Sequence, residues 1–191
     1  MRIIAGEFKG RPLKAPKGTA TRPTVDRVRE SLMSSILSAR GTWEDAMVLD
    51  LFAGSGALGL ESLSRGARFA CFCEKHPGAL EALRANTSMA GKGRVRIVKT
   101  DVCKRLPAPA DAPYDLLFLD PPYAMEAQRV ASLIAQLRES GMLADDALIS
   151  YEHDFSCDPL SNDAFVSLKL EHVTRKKFGA TVIDLLKVGT V

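Results

Sequence analysis

Four consecutive residues, Asp120-Pro121-Pro122-Tyr123, directly follow an apolar run that predicts a buried strand. Their types suit the methylation of an amino group on an aromatic ring, a poor nucleophile because its lone pair is delocalised. The Asp120 carboxylate and the Pro121 carbonyl can each accept an N–H hydrogen bond, which turns the lone pair toward a methyl donor. The two prolines restrict the backbone that carries these acceptors, and the tyrosine ring offers a face for base stacking. The alternative is an ordinary strand-to-loop exit, because Asp and Pro are common in turns.

A glycine-rich segment, Gly54-Ser55-Gly56-Ala57-Leu58-Gly59, joins a predicted strand to a predicted helix. Glycines in this setting let a ligand approach the backbone close to a helix N-terminus. Glu74 ends the next predicted strand, where a carboxylate can accept hydrogen bonds from ribose hydroxyls. Nicotinamide dinucleotides and S-adenosylmethionine are both bound by this pattern, so the glycines alone do not select the ligand.

Two further acids help to separate these ligands. Asp50 lies inside the first predicted strand, where burial of a carboxylate is costly without a partner. It could hold the ammonium group of the methionine part of the methyl donor, directly or through water. Asp101 follows the third predicted strand and could accept from the adenine amino group. The open alternatives are that Asp50 caps a turn and that Asp101 lies in a solvated loop, whereas a nicotinamide dehydrogenase would leave Asp50 without a role.

The elements that position these residues alternate between strands and helices. We predict strands over residues 47–52, 69–74, 94–99, 115–120 and 147–151, and helices over 57–64, 77–90 and 126–140. An earlier helix is indicated by the spacing of Val25, Val28, Leu32 and Ile36, with Thr24 as its N-cap. The alternation predicts a parallel, doubly wound sheet. Residues 165–173 and 180–188 are predicted to end it as an antiparallel hairpin.

Composition fits a globular protein with one main core. The 191 residues are 46% hydrophobic, and no apolar run approaches the ~20 residues that span a bilayer. The four cysteines show no paired metal-ligand spacing, and a reducing cytosol is expected.

Positive charge is concentrated near the N-terminus. Residues 1–31 hold eight Lys and Arg against three acidic residues, a net +5, whereas the remaining residues carry 18 basic and 20 acidic side chains. A basic arm that is also rich in Gly and Pro suggests an anionic polymer as partner. A solvated tail explains the charge equally well.

Taken together, the motifs resemble those of the class I S-adenosylmethionine-dependent amino-methyltransferases. More narrowly, the chain is similar to the RsmD family of 16S ribosomal RNA guanine-N2 methyltransferases, and the similarity covers nearly its whole length. The narrower resemblance also rests on residues 1–6, 21–30, 64–67, 152–153 and 176–179. The chain departs from the family at Phe178, where a tyrosine often stands.

The resemblance implies an α/β fold: a Rossmann-like, seven-stranded, mostly parallel sheet with helices on both faces, a C-terminal antiparallel hairpin and a short basic N-terminal extension. Residues 1–40 would form the basic arm and its helix, and residues 41–191 the methyltransferase domain. The implied cofactor is S-adenosyl-L-methionine, and the implied partner is 16S rRNA within the small ribosomal subunit. We expect a cytoplasmic monomer with no metal and no membrane partner.

The predicted site residues fall into three groups. The catalytic group is Asp120, Pro121, Pro122 and Tyr123. The cofactor-binding group is Asp50, Phe52, Ala53, Gly54, Ser55, Gly56, Glu74, Lys75, Asp101 and Val102. The RNA-binding group is Arg11, Arg22, Thr24, Arg27, Arg29, Lys176 and Lys177.

Two other functions remain open at this point. An adenine-N6 methyltransferase acting on DNA or other RNA would use the same loop, although reading DNA sequence usually requires an added domain for which little length remains. A non-catalytic RNA-binding module would be free to lose the chemical residues, and here the whole set is present. The loop does not distinguish guanine from adenine, so that choice depends on the basic arm and the resemblance.

Overall fold

The structure, a computed structural model, describes residues 1–16 and 26–189. Seven strands form one sheet: β1 Met47–Asp50, β2 Phe69–Glu74, β3 Val95–Lys99, β4 Tyr114–Leu119, β5 Leu143–Asp154, β6 Glu171–Phe178 and β7 Thr181–Lys187. The α-helices are α1 Asp26–Arg40, α2 Ala57–Arg65, α3 Pro77–Thr87, α4 Ala127–Glu139 and α5 Asp163–Ser167. Short 3-10 turns cover Ser88–Ala90 and Pro159–Ser161.

The strand order is β3-β2-β1-β4-β5-β7-β6. The strands from β3 to β5 are parallel, and β7 is antiparallel to both β5 and β6. The predicted Rossmann-like sheet with a C-terminal antiparallel hairpin is therefore confirmed. From β1 to β3 the strands are added on one side of β1, and from β4 onward they are added on its other side. The carboxyl ends of β1 and β4 therefore flank the crevice where ligands bind in such folds.

Both faces of the sheet are covered. One core contains apolar residues of α1, α2, α3 and the N-terminal arm, and the other contains those of α4 and α5. Residues 116–119 of β4 are all buried, which explains why the central strands are continuous apolar runs instead of alternating ones.

One element differs from the prediction. Residues 163–167 form the short helix α5, and the strand begins only at Glu171, so the prediction of a strand starting at residue 165 is wrong. The Asn162 side chain accepts from the Ala164 N–H and caps the helix. Phe165 and Leu168 then lie three residues apart on one helical face and both pack into the core.

The described part of the N-terminal arm, residues 1–16, is packed against the body. Ile3, Phe8 and Leu13 are buried, and Arg2 pairs with Pro12 in an antiparallel bridge. Ser64 on α2 fixes the arm, because its hydroxyl accepts from the Phe8 N–H and donates to the Ala5 carbonyl. A solvated tail therefore does not describe these sixteen residues. The predicted N-cap Thr24 lies outside the described residues, and the division at residue 40 stays a prediction.

Within residues 1–16 and 26–189, no helix has the length and apolar character needed to cross a bilayer.

Candidate active site

Three predicted acids converge at the carboxyl edge of the sheet. Asp50 ends β1, Glu74 ends β2, and Asp120 directly follows β4. These strands are neighbours in the order β2-β1-β4, so the acids line one continuous stretch of the edge. Although acids gather here, the described residues contain no group of three His, Cys, Asp or Glu side chains placed to hold a metal ion.

The glycine loop between β1 and α2 combines tight packing with open space. A Cβ at Gly59 would lie 2.3 Å from Phe72 Cε1, so the glycine lets α2 lie directly on β2. Gly54 has a φ of +55° and no atom within 4 Å of where its Cβ would be. The loop therefore offers exposed backbone beside Asp50, with room for a ligand to approach it.

Glu74 is held in place by three backbone amides. Its Oε2 accepts from the Gly54 N–H at 2.9 Å, and its Oε1 accepts from the N–H groups of Lys75 and His76 at 2.7 Å each. These bonds fix the carboxylate beside the glycine loop. Oε2 accepts only one of these bonds and has a second lone pair, so it can still accept from a ligand hydroxyl.

Asp101 lies one strand further along, after β3. Its Oδ1 accepts from the Cys103 N–H at 3.2 Å, and its Oδ2 lies 3.5 Å from the ammonium of Lys75. Asp101 is half-buried, and Val102 beside it is buried. The carboxyl end of β3 is therefore followed by one polar and one apolar residue.

Asp50 is almost wholly buried, with 2% of its surface exposed. Burial, and then the negative charge of Asp120, raise its pKa to about 8. Its Oδ1 has no hydrogen-bond partner among the described residues. A buried acceptor without a partner at a ligand crevice fits a donor that arrives with the ligand, and an ammonium group would supply both hydrogen bond and charge.

The Asp-Pro-Pro-Tyr loop places an acid and an aromatic face at the same edge. Burial raises the pKa of Asp120 to about 6, so the carboxyl is mostly ionised at neutral pH and can accept hydrogen bonds. Pro121 is buried, and the Pro122 carbonyl accepts from the Met125 N–H at 2.8 Å. These contacts hold the loop between β4 and α4.

Tyr123 is 45% exposed, yet its hydroxyl is anchored. The Oη lies 2.9 Å from Thr181 Oγ1 and 3.4 Å from Glu152 Oε1, so β5 and β7 both contact the ring's polar end. Anchoring the hydroxyl restricts the ring while leaving its face open, which suits stacking against a planar base. Thr181 was not identified from the sequence.

The predicted RNA-binding residues divide by exposure. Arg11, Arg27 and Lys177 are exposed, and Lys176 is half-buried. The Lys177 ammonium lies 4.8 Å from the ring centroid of Phe155, an exposed residue that follows β5, so a cation and an aromatic ring lie together beside the turn between β6 and β7. The remaining predicted contacts, Arg22 and Thr24, lie outside the described residues.

Arg29 corrects one prediction. Its side chain is wholly buried, and it pairs with Asp26 at 3.0 Å and with the buried Glu61 at 3.9 Å. It also donates to the Arg2 carbonyl at 2.6 Å. The prediction of a phosphate contact is therefore wrong, because this guanidinium is enclosed between α1, α2 and the arm.

Sequence reasoning also missed the buried polar side chains of Asn86 and Asp184. Asn86 hydrogen-bonds to the glycine loop, and its position could have been found because it follows Leu83 at helical spacing on the apolar face of α3. Asp184 on β7 is buried and accepts hydrogen bonds from Arg175, His153 and His172, which joins the three last strands of the sheet. His153 is thereby a buried structural residue.

Comparisons with known proteins identify relatives of this chain. The family model described as "Conserved hypothetical protein 95" matches residues 1–187. Ribosomal RNA small subunit methyltransferase D of Escherichia coli K12 is 38% identical over 154 residues, which cover 81% of this chain and 75% of that protein. The protein of the same name from Haemophilus influenzae is 35% identical over 155 residues, covering 80% and 78%.

Solved structures give the same relationship. The structure of yhhF from Escherichia coli, described provisionally as a methyltransferase, is 34% identical and has a TM-score of 0.81, covering 100% of this chain and 99% of that one. With a family model spanning almost the whole sequence and relatives above 30% identity over most of it, the chain belongs to the RsmD family.

Proposed function

We propose that this protein methylates the exocyclic N2 amino group of a guanine in small-subunit (16S) ribosomal RNA, with S-adenosyl-L-methionine as the methyl donor. The observation that carries the proposal is the pairing of an ionisable Asp120 with the open, anchored ring of Tyr123 beside the glycine loop. The names of the relatives from Escherichia coli and Haemophilus influenzae support the substrate class.

The residues along the carboxyl edge fit the proposed cofactor. The buried Oδ1 of Asp50, which has no partner among the described residues, would accept from the ammonium group, and Oε2 of Glu74 would accept from the ribose. Asp101 would accept from the adenine amino group. The remaining predicted contacts are Phe52, Ala53, Gly54, Ser55 and Gly56 in the loop, with Lys75 and Val102 at the adenosine end. S-adenosyl-L-methionine supplies an electrophilic methyl group when bound.

The loop after β4 would act on the substrate amine. Asp120 and the Pro121 carbonyl would accept its two N–H groups, so that the nitrogen lone pair points away from the ring system. Tyr123 would stack on the base, an interaction of about 1–3 kcal/mol in other nucleic-acid complexes. Asp120 or water would take the released proton. An unpaired base can enter such a site without the melting of a duplex.

The basic side chains would hold the RNA by its phosphates. Arg11, Arg27 and Lys177 are exposed for this role, together with the half-buried Lys176. Such contacts contribute affinity and position more than sequence selection. We extend the proposal to Arg22 and Thr24, to a monomeric cytoplasmic enzyme, and to a substrate presented within the small ribosomal subunit.

The central test replaces Asp120 by Ala. The matched control replaces Asp146, an exposed residue near the amino end of β5, by Ala. Labelled methyl transfer is measured on small subunits and naked rRNA from cells lacking the gene, and on DNA. We expect D120A to lose turnover while retaining cofactor affinity at pH 8.5, and D146A to behave as wild type. Near-normal turnover of D120A would refute the role of Asp120.

The methylated nucleoside identifies the base. Mass spectrometry of digested product should give N2-methylguanosine from small-subunit rRNA. N6-methyladenosine from RNA or DNA would instead establish the adenine-N6 alternative, which uses the same acceptors.

A further inference from the structure

The side chain of Asn86 joins two segments that are distant in sequence. Asn86 lies on α3 with 2% of its surface exposed. Its Oδ1 accepts from the Lys14 N–H at 2.8 Å, and its Nδ2 donates to the Lys14 carbonyl at 3.0 Å. The other Nδ2 hydrogen is donated to the Ser55 carbonyl at 2.9 Å. One carboxamide therefore contacts both the N-terminal arm and the glycine loop.

The chemistry of the contact requires a carboxamide. It is the one side-chain group of this length that combines a carbonyl acceptor with two N–H donors in a plane. The Lys14 backbone donates one hydrogen bond to the carboxamide and accepts one from it, as it would with a neighbouring strand, and the Ser55 carbonyl accepts the remaining N–H. Aspartate would set a carboxylate oxygen against two carbonyl oxygens, and alanine would leave buried backbone groups unpaired.

The two segments have different partners in the proposed reaction. Ser55 lies next to Gly54, whose open surroundings leave space for the cofactor. Lys14 lies in the basic arm, which is fixed further back by contacts of Ile4 with Glu61 and of Phe8 with Ser64. Asn86 thus adds a direct link from the arm to the loop that those earlier contacts do not provide.

We propose that Asn86 couples the arm to the cofactor loop, so that cofactor binding steadies the segment around Lys14 and RNA held by the arm tightens cofactor binding. The identities of the two ligands rest on the proposed function. The coupling is reciprocal, because each ligand must change the affinity of the other by the same factor. Asn86 is a positioning residue, since its bonds are all to backbone groups of the protein.

The first test uses wild-type full-length protein and S-adenosylmethionine alone. Backbone hydrogen exchange is followed in peptides covering residues 8–16 and the glycine loop. With saturating cofactor, we expect both to be protected, with exchange at Lys14 slowed by roughly fivefold or more. Protection of the loop with unchanged exchange at Lys14 would overturn the coupling. An absence of protection at both would show that the cofactor is not bound, which overturns the proposed function and the coupling with it.

The second test compares N86D with the matched control S64A. The Ser64 hydroxyl hydrogen-bonds to Ala5 and Phe8 of the arm and, among the described residues, to no residue of the glycine loop. S64A should therefore loosen the arm without changing the link to Ser55. Cofactor affinity is measured by calorimetry with and without an in vitro transcript of small-subunit rRNA. We expect the transcript to tighten cofactor binding about tenfold in wild type and S64A, and by less than twofold in N86D.

The cofactor-dependent protection of Lys14 should likewise survive in S64A and disappear in N86D. If S64A loses the coupling as fully as N86D, the effect belongs to general attachment of the arm and the proposal is overturned. The same conclusion follows if N86D keeps the wild-type coupling.

Discussion

Asp50 should make cofactor binding depend steeply on pH. Its pKa of about 8 means that, without ligand, only about one molecule in eleven has this carboxyl ionised at pH 7. An ammonium group is held by the ionised form, so each pH unit below 8 should weaken binding about tenfold, or ~1.4 kcal/mol. Affinity should therefore rise about tenfold between pH 6 and pH 7 and level off above pH 8.

Calorimetry in buffers of different ionisation enthalpy measures both the affinity and the protons released. At pH 7 the wild type should release close to one proton per cofactor bound, whereas D50N should release almost none and bind weakly with a flat pH profile. Glu74→Gln serves as the comparison, because it changes a neighbouring carboxylate that hydrogen-bonds the glycine loop. An affinity for the wild type that is constant from pH 6 to pH 8, with no proton release, would refute the assignment of Asp50.

The same buried carboxyl should reduce stability at high pH. Because the folded-state pKa is raised, the folded protein holds this proton over the window from about 3.8 to about 8, where the unfolded chain has lost it. Stability therefore falls as pH rises through that window. D50N lacks the titration, so it should melt above wild type at pH 8.5, and the difference should shrink toward pH 5. Equal melting temperatures for the two proteins at pH 8.5 would contradict the burial of a charged Asp50.

Three further predictions concern the loop and the arm. Asp120 has a pKa of about 6, so turnover at saturating cofactor should rise with pH through about 6 as the acceptor ionises. D120N should have a much lower turnover rate, and that rate should not change with pH in this range. Y123A should raise the KM for RNA by roughly tenfold or more through lost stacking, while Y123F, which keeps the ring, should change it less than threefold; equal effects would refute stacking. R29A should destabilise the fold by about 3 kcal/mol in urea unfolding, because the buried Glu61 keeps Arg65 but loses its Arg29 partner and the Arg2 carbonyl loses its donor. R27A should leave stability unchanged and lower the salt slope of RNA binding by about one unit.

The alternation of elements was predictable because it follows from burial. Parallel strands covered on both faces are apolar along most of their length, and residues 116–119 of β4 show this. The region before β6 was harder to predict, because the spacing of Phe165, Val166 and Leu168 is compatible with a strand and with a short helical turn. The Asn162 cap and the packing of Phe165 decide in favour of the helix, and neither is visible from propensity alone.

The acids of the site were predictable because chain order fixes their place. An acid at the end of each parallel strand must lie at the carboxyl edge, whatever the details of packing. The arm's arginines had no such constraint, and net charge did not separate Arg27 from Arg29. Helical spacing contained the missing signal, since Arg29 precedes Leu32, Met33 and Ile36 on the buried face of α1.

The acids along the edge also favour a cationic ligand over a neutral one. The ionisation of Asp50 is costly because, after burial itself, the negative charge of Asp120 raises its pKa further. A donor that brings both a sulfonium and an ammonium charge relieves this repulsion, and the carboxylates lose part of that relief once the methyl group has been transferred and the sulfonium charge is gone. If S-adenosylmethionine is the donor, as proposed, these buried carboxylates would favour binding of the unreacted donor over binding of its uncharged-sulfur product.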